Sequence, residues 1–350
     1  MSSDAANALL VPYRDAQRAL EAASAAGILD SSLKIQRTDK GLLLPVARVP
    51  QTLEDGRGAI EFFAATGSFE AKEPRSSYRD HLLLSEKDRA KFPGAFDVIG
   101  DVALVRFPED LRAQWPEAAA ALMRQHRSVK VVCHDRGVEG DLRVRSVEVV
   151  AGEPRTVAEH REHGLRLRVD VATAYFSPRL ATERKRIAGW VKPGERVLDM
   201  FAGVGPFSLL IARESKPSRV VAIDANPEAY RYLVENIRLN KAEDVVEPAL
   251  GLAQDLAPSF APVDRVIMNL PHLAPSFLPV AVRVLARSGV IHVYEVVPED
   301  QIVQRAELRR FEAAAYPGVA SCELLGAHEV RTYAPRQVVV AIDLRIARSE

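Results

Sequence analysis

The sequence predicts an α/β protein built around a doubly wound, mostly parallel sheet, with two smaller α+β domains before it. Short apolar runs recur near residues 197, 219, 245, 265 and 289, with helical segments between them, which is the rhythm of a doubly wound sheet. Several of these runs end in a carboxylate, an amide or a glycine turn, as buried strands do when their carboxyl ends hold a ligand. The length of 350 residues also exceeds what one small core needs.

Residues 1–71 are predicted to form a small domain of their own. An alanine-rich amphipathic helix spans about 13–26, and a pair of strands follows at 33–37 and 41–46. The stretch 67–77 is polar and contains a proline and three serines, a composition typical of a linker.

A middle α+β domain is predicted over residues 72–163. Its apolar segment 95–106 is a strand interrupted by Gly100, and a helix follows over about 109–126. The segment 142–150 alternates charged and apolar residues, which indicates a strand with one exposed face.

Residues 164–350 contain the predicted doubly wound sheet. Leu165–Asp170 alternates as a strand, and the serine–proline pair at 177–178 favours the start of a helix. Two strands, about 321–330 and 337–345, end the chain. A tight connection joins them, so we expect an antiparallel hairpin at the sheet edge.

Composition excludes several classes of protein. Hydrophobic residues make up 47% of the chain and charged residues 27%, and no apolar run approaches the roughly 18 residues of a membrane span. The first residues lack the basic-then-apolar order of a secretion signal. Cys133 and Cys322 are far apart, which favours inert thiols in a reducing compartment over a zinc site. We expect a cytoplasmic protein with no membrane partner.

Charge is unevenly distributed along a chain whose formal net charge is zero. Residues 124–192 carry 15 Lys/Arg against 9 Asp/Glu, whereas residues 1–71 carry 7 against 9. A basic middle region fits a localised phosphate-facing patch. It also fits a solvated, strand-rich surface, and charge alone leaves both interpretations open.

The apolar run at 197–208 and the next strand together indicate a nucleoside site. Gly203 and Gly205 follow the first strand, where the lack of a Cβ lets the backbone approach a ligand closely. Asp224 ends the second strand and can accept both hydroxyls of a ribose. The third glycine of a dinucleotide fingerprint is absent, because Gly205 is followed by Pro-Phe-Ser. We therefore predict a site for S-adenosylmethionine (SAM), and a methyltransferase; the alternatives are a dinucleotide site or a core without a cofactor.

Asn269-Leu-Pro271 follows a third strand, where methyltransferases that act on amino groups carry an Asp/Asn-Pro-Pro-aromatic motif. Leu270 and His272 depart from that motif, so an exocyclic amine is a less suitable substrate than a base presented in another way. The alternative is a plain turn in which Asn269 caps the next helix.

A charged helix is predicted just before the first glycine turn. Arg179, Glu183 and Arg186 lie four and three residues apart, so they share one face of the helix. The structural interpretation is an exposed ladder of salt bridges, which would contribute only a few tenths of a kcal/mol per pair. The functional interpretation is a carboxylate, among guanidinium groups, that takes a proton.

The motifs together resemble those of the archaeal and eukaryotic type of tRNA guanine-37 N1-methyltransferase. The likeness extends over about 78–346, and less surely over the N-terminal segment. The segments that carry it are FSPRLATER (176–184), DMFAGVGPFS (199–208), AIDANP (222–227), RVIMNLP (265–271) and TYAPR (332–336), with GDLRVR (140–145) and AGEPRT (151–156) in the middle domain.

The resemblance implies a seven-stranded, Rossmann-like SAM-dependent methyltransferase domain and a tRNA partner. The N-terminal domain would contact the outer corner of the tRNA, and the other two domains the anticodon stem-loop. It implies no obligatory protein partner and a monomer. His272 departs from the basic residue that this family often places after the NLP motif.

The resemblance also assigns roles to individual residues. Glu183 matches the proposed general base, Arg143 faces the guanine O6, and Tyr175 contacts the flipped base, with Asn269 and Pro271 in the NLP motif. SAM contacts would fall on Arg184, Phe201, Gly203, Gly205, Asp224, Ala225, Asp255, Leu256 and Asn269.

These roles fit the chemistry of guanine N1. That nitrogen carries a proton at neutral pH, so a base must remove it before methylation, and a positioned carboxylate contributes typically about 10²–10⁴-fold. The charge that develops on O6 needs a donor such as Arg143, and the nucleotide has to leave its stack. Alignment of donor and acceptor suffices for the transfer, so no metal site is predicted.

The alternatives are an aminocarboxypropyl or bifunctional wyosine-pathway transferase on the same nucleotide, and an inactive tRNA-binding relative.

Overall fold

The computed structural model describes residues 6–55, 58–71, 77–140 and 144–349. The chain divides into two compact units, residues 1–77 and 78–350. The three domains predicted above remain a prediction, because this division separates only the first of them. Within the described residues, no helix is long and apolar enough to cross a membrane.

The first unit is a small antiparallel sheet with one helix against it. Alternate residues such as Leu9 and Val11 point into its core, where Ala19, Ala23 and Leu44 cover them. The strand order is β2-β3-β1-β6, and β4 pairs with β5. The elements are β1 (Ala6–Val11), α1 (Ala16–Ala25), β2 (Gln36–Thr38), β3 (Gly41–Pro45), β4 (Glu54–Asp55), β5 (Gly58–Ala59) and β6 (Phe63–Gly67).

The second unit begins with a four-stranded sheet in the order β10-β9-β8-β7. The predicted strand at 95–106 is two strands, because Gly100 takes a φ of +58° and turns the chain between them. A side chain there would also place its Cβ 2.4 Å from the carbonyl oxygen of Glu159. The elements are α2 (Glu86–Lys91), β7 (Asp97–Ile99), β8 (Val102–Val105), α3 (Trp115–Gln125), β9 (Val131–Glu139), β10 (Val144–Gly152), and the hairpin β11 (Val157–Glu162) with β12 (Leu165–Asp170).

The rest of this unit alternates strands and helices, which confirms the predicted α/β fold. The elements are α4 (Ala181–Trp190), β13 (Arg196–Asp199), α5 (Pro206–Glu214), β14 (Arg219–Asp224), α6 (Pro227–Leu239), β15 (Val246–Leu250), α7 (Ala253–Leu256), β16 (Val263–Met268), α8 (Leu278–Val284), β17 (Leu285–Pro298), α9 (Ile302–Ala314), β18 (Val319–Ala334) and β19 (Gln337–Arg348).

Among the described residues, seven strands form one mixed sheet in the order β15-β14-β13-β16-β17-β19-β18. The first five strands pair in parallel, and β17, β19 and β18 pair antiparallel. Hydrophobic cores cover both faces, as near-continuous apolar strands require. The strand order reverses beside β13, and in such sheets the crevice at the carboxyl ends of the strands is where ligands bind.

Candidate functional site

A cavity of about 920 Å³, counting its open mouth, lies where β13, β14 and β16 end. We call it the strand-tip cavity. Its walls are formed by Tyr175, Phe176, Ser177, Leu180, Arg184, Phe201, Ala202, Gly203, Pro206, Phe207, Asp224, Asn226, Ala229, Asn269, Leu270, Pro271, His272, Arg331, Tyr333 and Val339.

Asp224 ties the glycine turn to the neighbouring strand. Its carboxylate accepts the backbone N–H of Gly203 at 2.6 Å and that of Asn226 at 2.9 Å. Burial raises the pKa of Asp224, although these two N–H groups act in the opposite direction. Each oxygen still has a lone pair for a ligand, so the residue can accept hydrogen bonds at the strand tip.

The two glycines of the turn have different roles. Both have positive φ, +57° at Gly203 and +89° at Gly205, which disfavours any residue with a Cβ. Gly203 lines the cavity, and a Cβ there would stand 3.6 Å from the carbonyl oxygen of Tyr175, so it would occupy cavity space. At Gly205 a Cβ would lie 2.5 Å from Cδ1 of Leu233. Gly205 therefore allows α5 to pack on α6 and does not line the cavity.

Arg184 forms part of the cavity wall and is held rigidly. It is 1% exposed, and Glu162 accepts two hydrogen bonds from its guanidinium, each of 2.6 Å. Burial alone would raise the pKa of Glu162, but hydrogen bonds from His160 and Arg184 lower it to about 2. The pair is therefore ionised at neutral pH.

Asn269 offers the cavity an amide without another partner. Its side chain makes no hydrogen bond to any other residue in the described part of the chain. The next helical turn starts at Ala274 and has Leu273 in the cap position, so the interpretation of Asn269 as a helix cap is wrong. Pro271 fixes the turn, because its carbonyl oxygen accepts the backbone N–H of Val296 at 3.1 Å.

Glu183 lies on α4 and is 6% exposed. Arg186 donates two hydrogen bonds to its carboxylate, at 2.7 and 2.9 Å, the hydroxyl of Tyr294 donates one at 2.6 Å, and Nε2 of His328 lies 3.1 Å from Oε2. Burial raises the pKa of Glu183, but the hydrogen bonds from these three side chains outweigh it and lower the pKa to about 2. The carboxylate is thus ionised, and it is not among the residues that line the strand-tip cavity.

The interpretation of Glu183 as part of an exposed salt-bridge ladder is wrong. Arg179 does not contact Glu183; its Nε donates to Asp97 on β7 at 2.7 Å. The helix begins with a tight turn at Pro178–Leu180, which turns Glu183 towards the sheet. The pair it forms with Arg186 is therefore buried against β17 and β19.

A chain of hydrogen-bonded polar side chains continues from Arg186 across the sheet. Its Nη1 donates to Asp343 at 2.8 Å, and Asp343 lies 2.6 Å from Nδ1 of His292. Nε2 of His292 lies 2.7 Å from Nη1 of Arg265. Because arginine can only donate, Nε2 must accept, so His292 carries its proton on Nδ1 and is neutral. This agrees with the effect of burial, which lowers the pKa of His292.

A second cavity, of about 1320 Å³ including its open side, adjoins the first. We call it the arginine-lined cavity, because Arg106, Arg145, Arg179 and Arg331 contribute to its walls together with Asp97 and Asp135. The two cavities share Tyr175, Ser177, Arg331 and Tyr333.

The shared wall is a set of contacting side chains. Nη2 of Arg331 lies 3.4 Å from the hydroxyl oxygen of Tyr175, and the guanidinium of Arg145 lies 5.3 Å from the centre of the same ring. On the other side, the hydroxyl of Tyr333 lies 3.1 Å from Nε2 of His272. The junction therefore combines aromatic faces with guanidinium groups, as nucleotide sites do.

The structure brings most, but not all, of the sequence-predicted residues together. Residues that line the strand-tip cavity are Tyr175, Arg184, Phe201, Gly203, Asp224, Asn269 and Pro271, whereas Glu183, Gly205, Ala225, Asp255 and Leu256 do not. Asp255 is exposed on α7, and Leu256 packs against the hydrophobic core that includes Leu198, Val221 and Val266. Arg143 lies outside the described residues.

Sequence reasoning missed the residues that surround Glu183. Tyr294, His292 and Asp343 occur inside strands that are otherwise apolar, β17 and β19. A buried polar residue needs a partner, so this pattern was a usable signal. Arg331 carried no comparable signal, because polar residues near a hairpin turn are common, and Tyr333 lies in the TYAPR segment but was assigned no role.

Comparisons with known proteins agree with this geometry. Residues 158–325 match a family model described as the TRM5/TYW2 methyltransferase domain, and residues 78–156 match one described as the TYW2 N-terminal domain. The chain is 39% identical over 342 residues to tRNA (guanine(37)-N(1))-methyltransferase Trm5b of Pyrococcus abyssi, covering 97% of this chain and 99% of that protein. The crystal structure of that protein superposes with a TM-score of 0.71, covering 98% and 99% of the two chains.

Two further relatives are informative. A solved complex of aTrm5 with tRNALeu is 30% identical, with a TM-score of 0.67, and covers 97% of this chain and 99% of that one. A tRNA(Phe) (4-demethylwyosine(37)-C(7)) aminocarboxypropyltransferase of Pyrococcus horikoshii is 33% identical over 251 residues, covering 72% and 88%. On the near-complete match to Trm5b, and on the motifs that line the strand-tip cavity, the chain belongs to the TRM5/TYW2 methyltransferase family.

Proposed function

We propose that this protein transfers the methyl group of SAM to N1 of guanosine 37 in tRNA. The observation that carries the proposal is the junction of the two cavities. They share Tyr175, Ser177, Arg331 and Tyr333, so a donor seated at the strand tips meets a nucleotide seated among the arginines at this wall. The family of the chain supports the same reaction.

The strand-tip cavity has the groups that SAM requires. Asp224 has lone pairs for the two ribose hydroxyls, Gly203 leaves room for the donor, and Asn269 has an amide without a partner among the described residues. When bound, SAM supplies an electrophilic methyl group. The task of the protein is then to hold donor and acceptor in line at contact distance.

Glu183 is the proposed base for the N1 proton. Its two oxygens already accept four hydrogen bonds, so a guanine N1–H reaches it only by displacing one donor. The contact with His328 is the longest of the four, and the His328 side chain is 39% exposed. Exchange of this one hydrogen bond would open Oε2 to the substrate. Arg143 is proposed to donate to O6, and Tyr175 to contact the extruded base.

The rest of the chain is proposed to hold the tRNA. Residues 1–71 would contact its outer corner, and the domains at 72–163 and 164–350 its anticodon stem-loop. We propose that the protein does this as a monomer in the cytoplasm.

A second candidate is transfer of the aminocarboxypropyl group of SAM to a modified guanosine 37. The match of residues 78–156 to the TYW2 N-terminal domain favours it. The two reactions differ in which part of SAM reaches the RNA, so a label can separate them.

The test uses two tRNAs, one unmodified and one that carries the modified guanosine at position 37, and two preparations of SAM, one labelled in the methyl group and one in the carboxyl group. We expect only the methyl label to enter the tRNA, and digestion to give 1-methylguanosine from position 37. Carboxyl label in the RNA would establish the second candidate. Absence of both labels, with tRNA and SAM still bound, would indicate an inactive tRNA-binding relative.

A further inference from the structure

The arginine-lined cavity carries a charge imbalance. Two of its four guanidinium groups are neutralised within the protein: Arg145 pairs with Asp135 at 2.5 Å, and Arg179 pairs with Asp97 at 2.7 Å. Arg106 and Arg331 form no ion pair with any carboxylate in the described part of the chain. The described walls therefore carry a net charge of +2, from four arginines and two aspartates.

Some other basic residues of the same unit pair with carboxylates. On a neighbouring surface Arg155 pairs with Asp101, Arg166 with Glu159, and Arg168 with Glu235. These three pairs neutralise part of the positive charge of residues 124–192. Several other arginines of this unit, among them Arg124, Arg127 and Arg213, also lack an ion pair within the described residues, but Arg106 and Arg331 are the two that line the arginine-lined cavity.

The position of Arg331 makes its lack of a counter-ion informative. The residue is half-buried on β18, and its guanidinium lies 5.9 Å from the ring centre of Tyr333 and 3.4 Å from the hydroxyl of Tyr175. These neutral contacts orient the guanidinium and leave its charge uncompensated. A partly desolvated cation gains most from an anion that accepts two parallel hydrogen bonds, as a phosphate does.

Arg106 also lines this cavity. It directly follows β8, whose four residues are buried, and it is itself exposed. A rigid strand therefore presents this guanidinium at the cavity rim. A nucleotide extruded from its loop carries one phosphate on its 5′ side and one on its 3′ side, so two separate cations suit it.

We propose that Arg106 and Arg331 bind the two phosphates that flank the extruded nucleotide, one each, and so hold its base against the shared wall. The inference rests on the proposed function, because it takes the occupant of the cavity to be a nucleotide of an RNA chain. Phosphate contacts of this kind fix position and carry no sequence information.

The first experiment measures tRNA binding by Arg106→Gln, Arg331→Gln and the double variant across a series of salt concentrations. Each lost phosphate contact should lower the slope of log K against log salt by about 0.7–0.9. We expect roughly tenfold weaker tRNA binding for each single variant, with SAM affinity unchanged in Arg106→Gln, because Arg106 does not line the strand-tip cavity. Arg166→Gln is the matched control, because it removes the same charge from an arginine paired to Glu159. Slopes equal to that of the control would overturn the inference.

The second experiment changes the RNA and leaves the protein intact. A neutral methylphosphonate replaces the phosphate on the 5′ or the 3′ side of guanosine 37 in a ligated tRNA. For wild-type protein, each replacement should weaken binding as much as the loss of one arginine. In the variant that lacks the matching arginine, the same replacement should have no further effect. Additive losses for every combination would refute the assignment.

These experiments separate failure of the inference from failure of the proposed function. If wild-type protein methylates tRNA but the variants keep the wild-type salt slope, only the phosphate assignment is wrong. If wild-type protein yields no 1-methylguanosine at position 37, the proposed function is wrong, whatever the arginine variants do.

Discussion

Glu183→Gln tests whether the buried carboxylate acts as a base. The substitution keeps the shape of the side chain but removes its charge, and it turns an amide N–H group towards donors such as Arg186 and Tyr294. The pKa of Glu183 falls from 4.5 to about 2, which corresponds to about 3 kcal/mol of preferential stabilisation of the charged carboxylate. With only 6% of the residue exposed, solvent screens little of this. We expect a loss of stability of up to about 3 kcal/mol and methyl transfer slower by about 10²–10⁴-fold.

A loss of activity alone would not separate chemistry from damage to the fold. Glu295→Gln is the matched control, because Glu295 is a second buried carboxylate that accepts two hydrogen bonds from an arginine, Arg309, at 2.9 and 3.0 Å. Its partner Arg309 lies on α9, whereas Arg186, the arginine partner of Glu183, lies on α4. The control should also lose stability in urea denaturation, because it weakens the pairing with Arg309, and keep its rate of methyl transfer.

The assay is single-turnover methylation, with enzyme in excess over tRNA and with methyl-labelled SAM, which reports the chemical step without product release. SAM affinity, measured by calorimetry, should stay near that of wild type for both variants. A Glu183→Gln enzyme that methylates as fast as Glu295→Gln would remove Glu183 from the mechanism.

Three further outcomes follow from the same structure. The free energy of unfolding of wild type should exceed that of Glu183→Gln by its full amount above a pH of about 4.5. The difference should shrink as the pH falls towards about 2, because the lowered pKa of Glu183 stabilises only the charged form. Urea midpoints across that pH range measure it. Asp224→Ala should weaken SAM binding in calorimetry and leave tRNA binding unchanged, because the carboxylate holds the glycine turn at the donor site; unchanged SAM affinity would contradict the ribose assignment. Gly205→Ala should destabilise the protein by about 1–3 kcal/mol, since its φ is +89° and a Cβ would lie 2.5 Å from Leu233. Gly189→Ala, in a helix with free space around it, should instead be neutral or stabilising by up to about 1 kcal/mol; thermal denaturation compares the two.

The strands and their tips could be predicted from the sequence because their signals are local. Leu165–Asp170 alternates apolar and charged residues, and the structure has a strand with those bounds. Gly203 and Asp224 each end an apolar run, and parallel strands bring such ends to one edge of a sheet. This reasoning gave Gly203, Asp224 and the Asn269–Pro271 segment, whereas Tyr175, Arg184 and Phe201 of the strand-tip cavity were expected from the family resemblance.

The partners of Glu183 could not be predicted, because they depend on the register between distant strands. Tyr294 is 111 residues away from Glu183, and Asp343 is 157 residues away from Arg186. Sequence spacing predicts which residues share a helix face, but not what that face packs against. The helix alone therefore favoured an exposed ladder over a functional site, and burial of Glu183 decides against the ladder.

The hydrogen bonds that keep Glu183 charged also limit its strength as the proposed base. Arg186 holds both carboxylate oxygens, and Arg186 is itself fixed by Asp343 and, through it, by the neutral His292. Four hydrogen bonds to an ionised carboxylate favour that form and so weaken it as a base. Loss of one of them on substrate binding would raise the pKa of Glu183 towards that of an ordinary carboxylate, just when the N1 proton arrives. Of the four hydrogen bonds, the one from His328 would cost the least free energy to break, because this side chain is partly exposed and water can then hydrogen-bond to its imidazole. The basicity of Glu183 would therefore depend on entry of the nucleotide, and its carboxylate would not accept a proton until the guanine is in place.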